Sequence, residues 1–194
     1  MNYLAHLYLS GDNAGLITGN FIADEIKGKQ ITSFPDEIIR GIKLHRFIDS
    51  FTDTHPVVEK SKERLRPTYR KYSSVIVDIY YDHFLAVNWG IYSKIPLNQY
   101  VDNIYSLLQK DYDIFPSRMK AIFLRMIKQN WLLNYKEKAG IEIAFQGLAR
   151  RTTFPSRMEY AGKELIMHYA DFEEEFRVYF PLLVENVKKF IRHA

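Results

Sequence analysis

Apolar residues recur at helical spacing along almost the whole chain, and no stretch sustains the two-residue alternation of a half-buried strand. Over residues 2–10, Tyr3, Leu4, Leu7 and Tyr8 share one side. Over 13–26, Leu16, Ile17, Phe21 and Ile22 do the same, and Gly28-Lys29-Gln30 ends that segment. Pro35 opens a helix that runs through Ile38, Ile39 and Ile42 to about Phe51, since proline costs nothing in a first turn. Thr54-His55-Pro56 breaks the chain before a short helix to about Arg64. Pro67 marks the start of the longest clean pattern, carried by Tyr72, Val75, Ile76, Ile79, Tyr80 and Phe84 to about Tyr92. Pro96 and Pro116 open two more helices, to about Tyr112 and Tyr135. Segments 137–149 and 158–192 complete the set, the last with an interruption expected near Pro181. The pattern predicts an all-α, multi-helix bundle. Its 194 residues are read as one domain spanning 1–194.

Polar residues that interrupt these apolar faces matter most for chemistry. His6 lies among Leu4, Leu7 and Leu9. Asp24 follows Phe21-Ile22-Ala23. His45 and Asp49 are four residues apart, as are Asp78 and Asp82, and His83 follows directly. Residues at i and i+4 share a helix face. Burying such groups costs several kcal/mol unless they are paired or bound to a metal. Two helices that each offer a His/Asp or Asp/Asp pair can build a metal site from facing surfaces, so His45 and Asp82 are expected to face each other. The expected ligands are His45, Asp49, Asp78, Asp82 and His83. Imidazole and carboxylate donors together suit Mn²⁺, Fe²⁺, Zn²⁺ or Mg²⁺. His6 also reads as a satisfied core histidine, and Asp24 as a solvated helix end.

Composition narrows the field. Hydrophobic residues make up 47% and charged ones 26%, an ordinary globular balance. The absence of cysteine excludes disulfides and thiol catalysis and fits a reducing, cytoplasmic setting. No apolar run is long enough to cross a bilayer, and the first residues do not resemble a signal peptide. A net charge of +4 is too small to imply nucleic acid but favours an anionic partner. Arginines offer guanidinium forks for phosphate. Arg46 adjoins His45, Arg64, Arg66 and Arg70 form a group with Lys71, and Arg150-Arg151 follow Gly147. No phosphate-binding glycine loop, GxSxG, HExxH or EF-hand loop is present.

Four ordered blocks carry a resemblance. They are Met1-Asn-Tyr-Leu-Ala-His6-Leu, Gly19-Asn20-Phe-Ile-Ala-Asp24, Gly41-Ile-Lys-Leu-His45-Arg46-Phe-Ile-Asp49-Ser-Phe-Thr-Asp53, and Asp78-Ile-Tyr-Tyr-Asp82-His83-Phe-Leu-Ala, with Trp89 beyond. Together they resemble the acyl carrier protein phosphodiesterase family, densely through Trp89 and more thinly afterwards. The family looks like a divergent branch of the all-helical HD metal-dependent phosphohydrolases. This chain has no His-Asp dipeptide and carries Asp82-His83 in reversed order, so its ligand set is argued from position and chemistry. The resemblance implies metal-dependent hydrolysis of holo-acyl carrier protein to the apo-carrier and 4′-phosphopantetheine. Mn²⁺ is the expected cofactor, with Mg²⁺ or Fe²⁺ as alternatives. Asp24 and His6 are expected to orient water or carry a proton, and Arg46 to stabilise the phosphoryl oxygens. Arg64, Arg66, Arg70 and Lys71 are expected to dock the acidic carrier protein. Two rival readings are a phosphohydrolase acting on a small nucleotide or other phosphodiester, and a non-catalytic helical interaction module.

Overall fold

A computed structural model of the chain describes residues 1–193. Among them are twelve α-helices and no strand: α1 Tyr3–Leu9, α2 Ala14–Ile22, α3 Asp36–Thr54, α4 Pro56–Tyr69, α5 Ser73–Val87, α6 Trp89–Tyr92, α7 Leu97–Lys110, α8 Ser117–Lys128, α9 Trp131–Asn134, α10 Lys138–Ala149, α11 Ala161–Met167 and α12 Tyr169–His193. Short 3₁₀ turns link several of them. Among the described residues no helix is long and apolar enough to cross a membrane.

The all-α expectation holds, and three boundaries differ from it. Pro67 sits inside α4 rather than opening a helix. The helix continues past it because Leu65 and Tyr69, on either side, are both buried in the core. The break comes at Arg70, whose φ of +50° no helix accepts. Pro181 likewise lies inside a continuous α12, flanked by buried Phe180 and Leu183. The break in that region falls earlier, at His168 between α11 and α12. Asn130, left-handed with φ +46°, divides the expected 116–135 helix into α8 and α9.

α5 is the core's axis. Ile76, Val77, Ile79, Tyr80, Tyr81, Phe84 and Leu85 are all buried, the mark of a helix enclosed over most of its circumference. α12 packs Phe176 and Phe180 along it, their rings stacked 4.9 Å apart. α2 and α3 meet at glycines. A Cβ on Gly19 would fall 2.1 Å from the Ile38 carbonyl oxygen, and one on Gly41 would fall 2.5 Å from that of Leu16. Only glycine permits this approach. It sets the chemistry that follows, because Asn20 adjoins Gly19 and His45 stands one turn after Gly41.

Candidate metal centre

Three helices converge on one point. α1 supplies His6, α2 supplies Asn20, and α3 supplies His45 and Asp49. The imidazoles stack with centroids 4.2 Å apart. His6 Nε2 lies 3.2 Å from Asp49 Oδ1, and His45 Nε2 lies 3.1 Å from Asp49 Oδ2. Asp24, just beyond α2, brings Oδ1 to 3.2 Å from the same His45 nitrogen. His6 is buried, whereas the Asp24 side chain is 61% exposed.

Asn20 fixes how the two rings are protonated. Its Nδ2 donates to the His6 carbonyl at 3.0 Å and to Ser10 Oγ at 2.9 Å. Its Oδ1 must therefore face the histidines, and it accepts from His6 Nδ1 at 2.8 Å and from His45 Nδ1 at 2.9 Å. His45 Nδ1 also reaches the Asn20 carbonyl at 2.9 Å. With Nδ1 donating to Asn20, both Nε2 atoms face the Asp49 carboxylate, and it is there that the proton of His45 gives way when a cation is ligated. Metal-ligating histidines ordinarily donate their second nitrogen to such an oxygen, which sets tautomer and ring orientation.

The donor set fits a divalent cation. Ligand atoms of His6, His45 and Asp49 all lie within 4.8 Å of one another. Separations of 3.1 and 3.2 Å suit neighbouring ligands on an ion whose bonds are about 2.1 Å long. Electrostatics agree. Burial opposes charge on His45, but hydrogen bonds to Asp24 and Asp49 outweigh it and raise the pKa to about 9. Asp49 is likewise opposed by burial, yet its histidine partners hold it well below the ordinary carboxylate range. The His45 hydrogen bond lowers Asp24 as well. Burial, reinforced by charge on His45, lowers His6. These groups stabilise positive charge at the spot where Nε2 and carboxylate oxygens meet.

The centre opens into a cleft of about 770 Å³. Its walls include Tyr3 and Phe21 on one side and Ile143, Ala144 and Leu148 on another, with Arg118 and Arg151 also lining it.

Several expected ligands stand outside this donor group, although Asp78 lines the same cleft. Asp82 is fully buried and accepts the backbone N–H groups of Leu4 at 2.7 Å, Ala5 at 3.2 Å and Asn2 at 3.3 Å. It caps the start of α1, where the peptide dipoles favour an anion. Burial pushes its pKa up to about 7 against those hydrogen bonds and the nearby ammonium group. Asp78 binds the Met1 ammonium at 2.9 Å. His83 lies between the Tyr135 carbonyl at 2.7 Å and the Tyr169 hydroxyl at 3.1 Å. None of these three joins the His6–His45–Asp49 group. Asp82 does not face His45, because the element opposite it is the donor-rich start of α1. Asp53, one turn beyond Asp49, is taken by Lys62 at 2.8 Å.

Among the basic residues, Arg46 is exposed and donates to the Ile26 carbonyl, outside the cleft lining. Arg64 forks onto buried Glu175 with two 2.8 Å hydrogen bonds and lies over the Phe172 ring, bracing α4 against α12. Arg66 pairs with Glu59 on its own helix. Arg70 and Lys71 are exposed, and Lys71 lies over the Tyr72 and Phe154 rings. Two residues separate Lys71 from Ser74, which with Val75 lines the cleft wall. Sequence reasoning assigned no role to Asn20 or Arg118 and weighed Arg151 only as one of several phosphate candidates. An asparagine after glycine inside an apolar run was the available signal for Asn20.

The acyl carrier protein phosphodiesterase family model matches residues 1–183. The acyl carrier protein phosphodiesterase of Photorhabdus laumondii is 30% identical over 189 residues, covering 97% of this chain and 96% of that protein. That of Pectobacterium atrosepticum is 29% identical over 189 residues, covering 97% and 98%. The Enterobacter sp. protein of the same name is 30% identical over 189 residues, with the same coverage of 97% and 98%. No solved structure matches the chain. With a donor cluster suited to a divalent cation and a match that runs nearly end to end, the chain belongs to the acyl carrier protein phosphodiesterase family.

Proposed function

We propose that this protein hydrolyses holo-acyl carrier protein, releasing apo-carrier and 4′-phosphopantetheine, with a divalent cation held by His6, His45 and Asp49. The observation that carries the reading is the convergence of two histidine Nε2 atoms and a carboxylate in the lining of a mixed polar and apolar cleft of about 770 Å³. Mn²⁺ is the leading candidate, with Mg²⁺ or Fe²⁺ as alternatives, because mixed imidazole and carboxylate donors suit these ions. The scaffold is read as one HD-like helical domain in a cytoplasmic enzyme.

The bound cation supplies positive charge against the phosphoryl oxygens and acidifies water. The chain's own residues do the rest. Asp24 is ionised at neutral pH and exposed to the cleft, so it can accept a proton from the attacking water. As water oxygen bonds to phosphorus, the bond from phosphorus to the carrier serine oxygen breaks. The serine leaves as a hydroxyl, taking up the proton that Asp24 accepted from the water, and the phosphate stays on pantetheine. Asn20 keeps both imidazoles in the ligating tautomer throughout. Arg70 and Lys71, exposed and close in sequence to the cleft-lining Ser74 and Val75, are the cations offered for association with an acidic carrier.

Intact-protein mass spectrometry tests the reading. Holo-carrier incubated with the enzyme and Mn²⁺ should lose the mass of the prosthetic group, and excess chelator should prevent the loss. Unchanged holo-carrier in the presence of metal would refute it.

A further inference from the structure

One face of α10 and the turn after it runs along the cleft. Gly140, Ile143, Ala144, Gly147, Leu148 and Arg151 all line it, spaced by three or four residues. They change in character along the way. The first five are small or apolar, and the last is a guanidinium. Arg151 Nε donates to the Gly147 carbonyl at 2.9 Å, which fixes the side chain while its two terminal nitrogens make no hydrogen bond or ion pair with any described residue. Arg118, the other arginine of the lining, is bound to Glu25 at 2.8 Å. Tyr3, which lines the cleft between α1 and α9, feels the charges of Asp24 and Arg151 together. Arg151 thus lines the same cleft as Asp24, His6, His45 and Asp49.

Gly147 is open where Gly140 is not. A Cβ on Gly140 would fall 2.1 Å from the Asn134 carbonyl oxygen, so that glycine serves packing. A Cβ on Gly147 would meet nothing within 4 Å. Its missing side chain leaves cleft volume and is not needed by the helix.

Resting on the function proposed above, we propose that this face of α10 is the binding wall for the phosphopantetheine arm, with Arg151 clamping its phosphate and Gly147 leaving the space its chain occupies. Dimensions agree. Eleven residues from Gly140 to Arg151 rise about 16 Å. The arm has about 13 bonds from phosphorus to sulfur, about 15 Å at the reach per bond of an extended backbone. Charge agrees as well, since a guanidinium fork matches a phosphate edge. Trp131, against Tyr3 with centroids 6.4 Å apart, adds apolar surface to the lining.

The test is binding of free 4′-phosphopantetheine and of pantetheine, which lacks the phosphate, measured on the whole protein by ligand-observed NMR or calorimetry. Arg151→Ala should weaken 4′-phosphopantetheine by about 10–100-fold, the worth of charge-assisted hydrogen bonds, and leave pantetheine unchanged. Arg151→Lys should recover part of the loss. Gly147→Phe should weaken both ligands and raise KM for holo-carrier, with Mn²⁺ affinity unchanged. Gly147→Val repeats the test should the larger side chain prevent folding. Wild-type affinity in the Gly147 variants, or equal losses on both ligands in Arg151→Ala, would overturn the proposal. Wild-type protein that binds 4′-phosphopantetheine but leaves holo-carrier intact would keep the groove and sink the hydrolytic reading. Wild-type protein that cleaves holo-carrier with no effect of Gly147→Phe on KM would do the reverse.

Discussion

His45/Asp49 on α3 and Asp78/Asp82 on α5 share one spacing and end in opposite roles. The α3 pair meets a second imidazole stacked against His45, and its donor atoms converge with His6 Nε2. The α5 pair faces the start of α1, and its oxygens are consumed by three backbone N–H groups and an ammonium. Spacing puts two groups on one face; the opposing element decides what they do. The two regions are also coupled. Asp82 anchors the helix that carries His6, so the α5 pair holds in place what the α3 pair uses.

The largest effect should come from breaking the α3 side. Asp49→Asn removes the carboxylate charge shared by both histidines. Mn²⁺ affinity should fall further than the ~10–100-fold typical of an outer-shell partner, and turnover should become undetectable at micromolar metal. Equilibrium dialysis and steady-state kinetics read both. Next comes Asp24→Asn, which keeps size and removes the base. kcat should fall about 10²–10⁴-fold with a smaller change in metal affinity. Equal falls in both would make Asp24 a ligand.

Asn20→Leu sharpens the comparison from behind the metal, since it removes the oxygen that holds both Nδ1 protons. Metal affinity should drop about 10–100-fold, and chelated variant and wild type should differ less in thermal stability than Asp82→Asn and wild type do. On the α5 side, Asp82→Asn turns an amide donor toward backbone donors. Urea unfolding should show a loss of about 1–3 kcal/mol, with Mn²⁺ affinity per folded molecule changed only a few-fold. A loss of metal binding with stability intact would restore Asp82 as a ligand.

The smallest effect is on pH. In metal-free protein the His45 pKa is raised to about 9, above the ~6.5 of a free imidazole. Its contribution to stability is complete below ~6.5 and is lost as pH climbs through about 9. A ligating imidazole must be neutral, so apparent Mn²⁺ affinity should rise by up to about tenfold per pH unit across the same window. Affinity that is flat there would contradict a protonated His45 in the metal-free state.

Much of this was legible in the chain. Apolar periodicity located the helices because burial on one face needs that spacing, and it placed His45, Asp49 and Asp24 at a polar centre. Pro67 and Pro181 misled because buried Leu65, Tyr69, Phe180 and Leu183 hold their helices together across the missing N–H. Asp82 misled because a carboxylate capping another helix and one binding a metal leave the same mark: a charge in an apolar run. Asn20 carries no charge, and a polar residue after glycine in an apolar run is a weak signal by itself. Its role exists only once Gly19 and Gly41 let α2 and α3 touch. Arg64 looked like a free surface cation because its partner, Glu175, lies 111 residues away.

The account's central claim is that His6 and His45, from different helices, ligate one ion through Nε2. Electron spin-echo spectroscopy of bound Mn²⁺ in protein labelled with ¹⁵N-histidine counts the imidazoles on the metal. Two ligating nitrogens are expected in wild type, one in His6→Ala, and two in His83→Ala. Two nitrogens persisting in His6→Ala, with one lost in His83→Ala, would contradict the claim and return the site to α5.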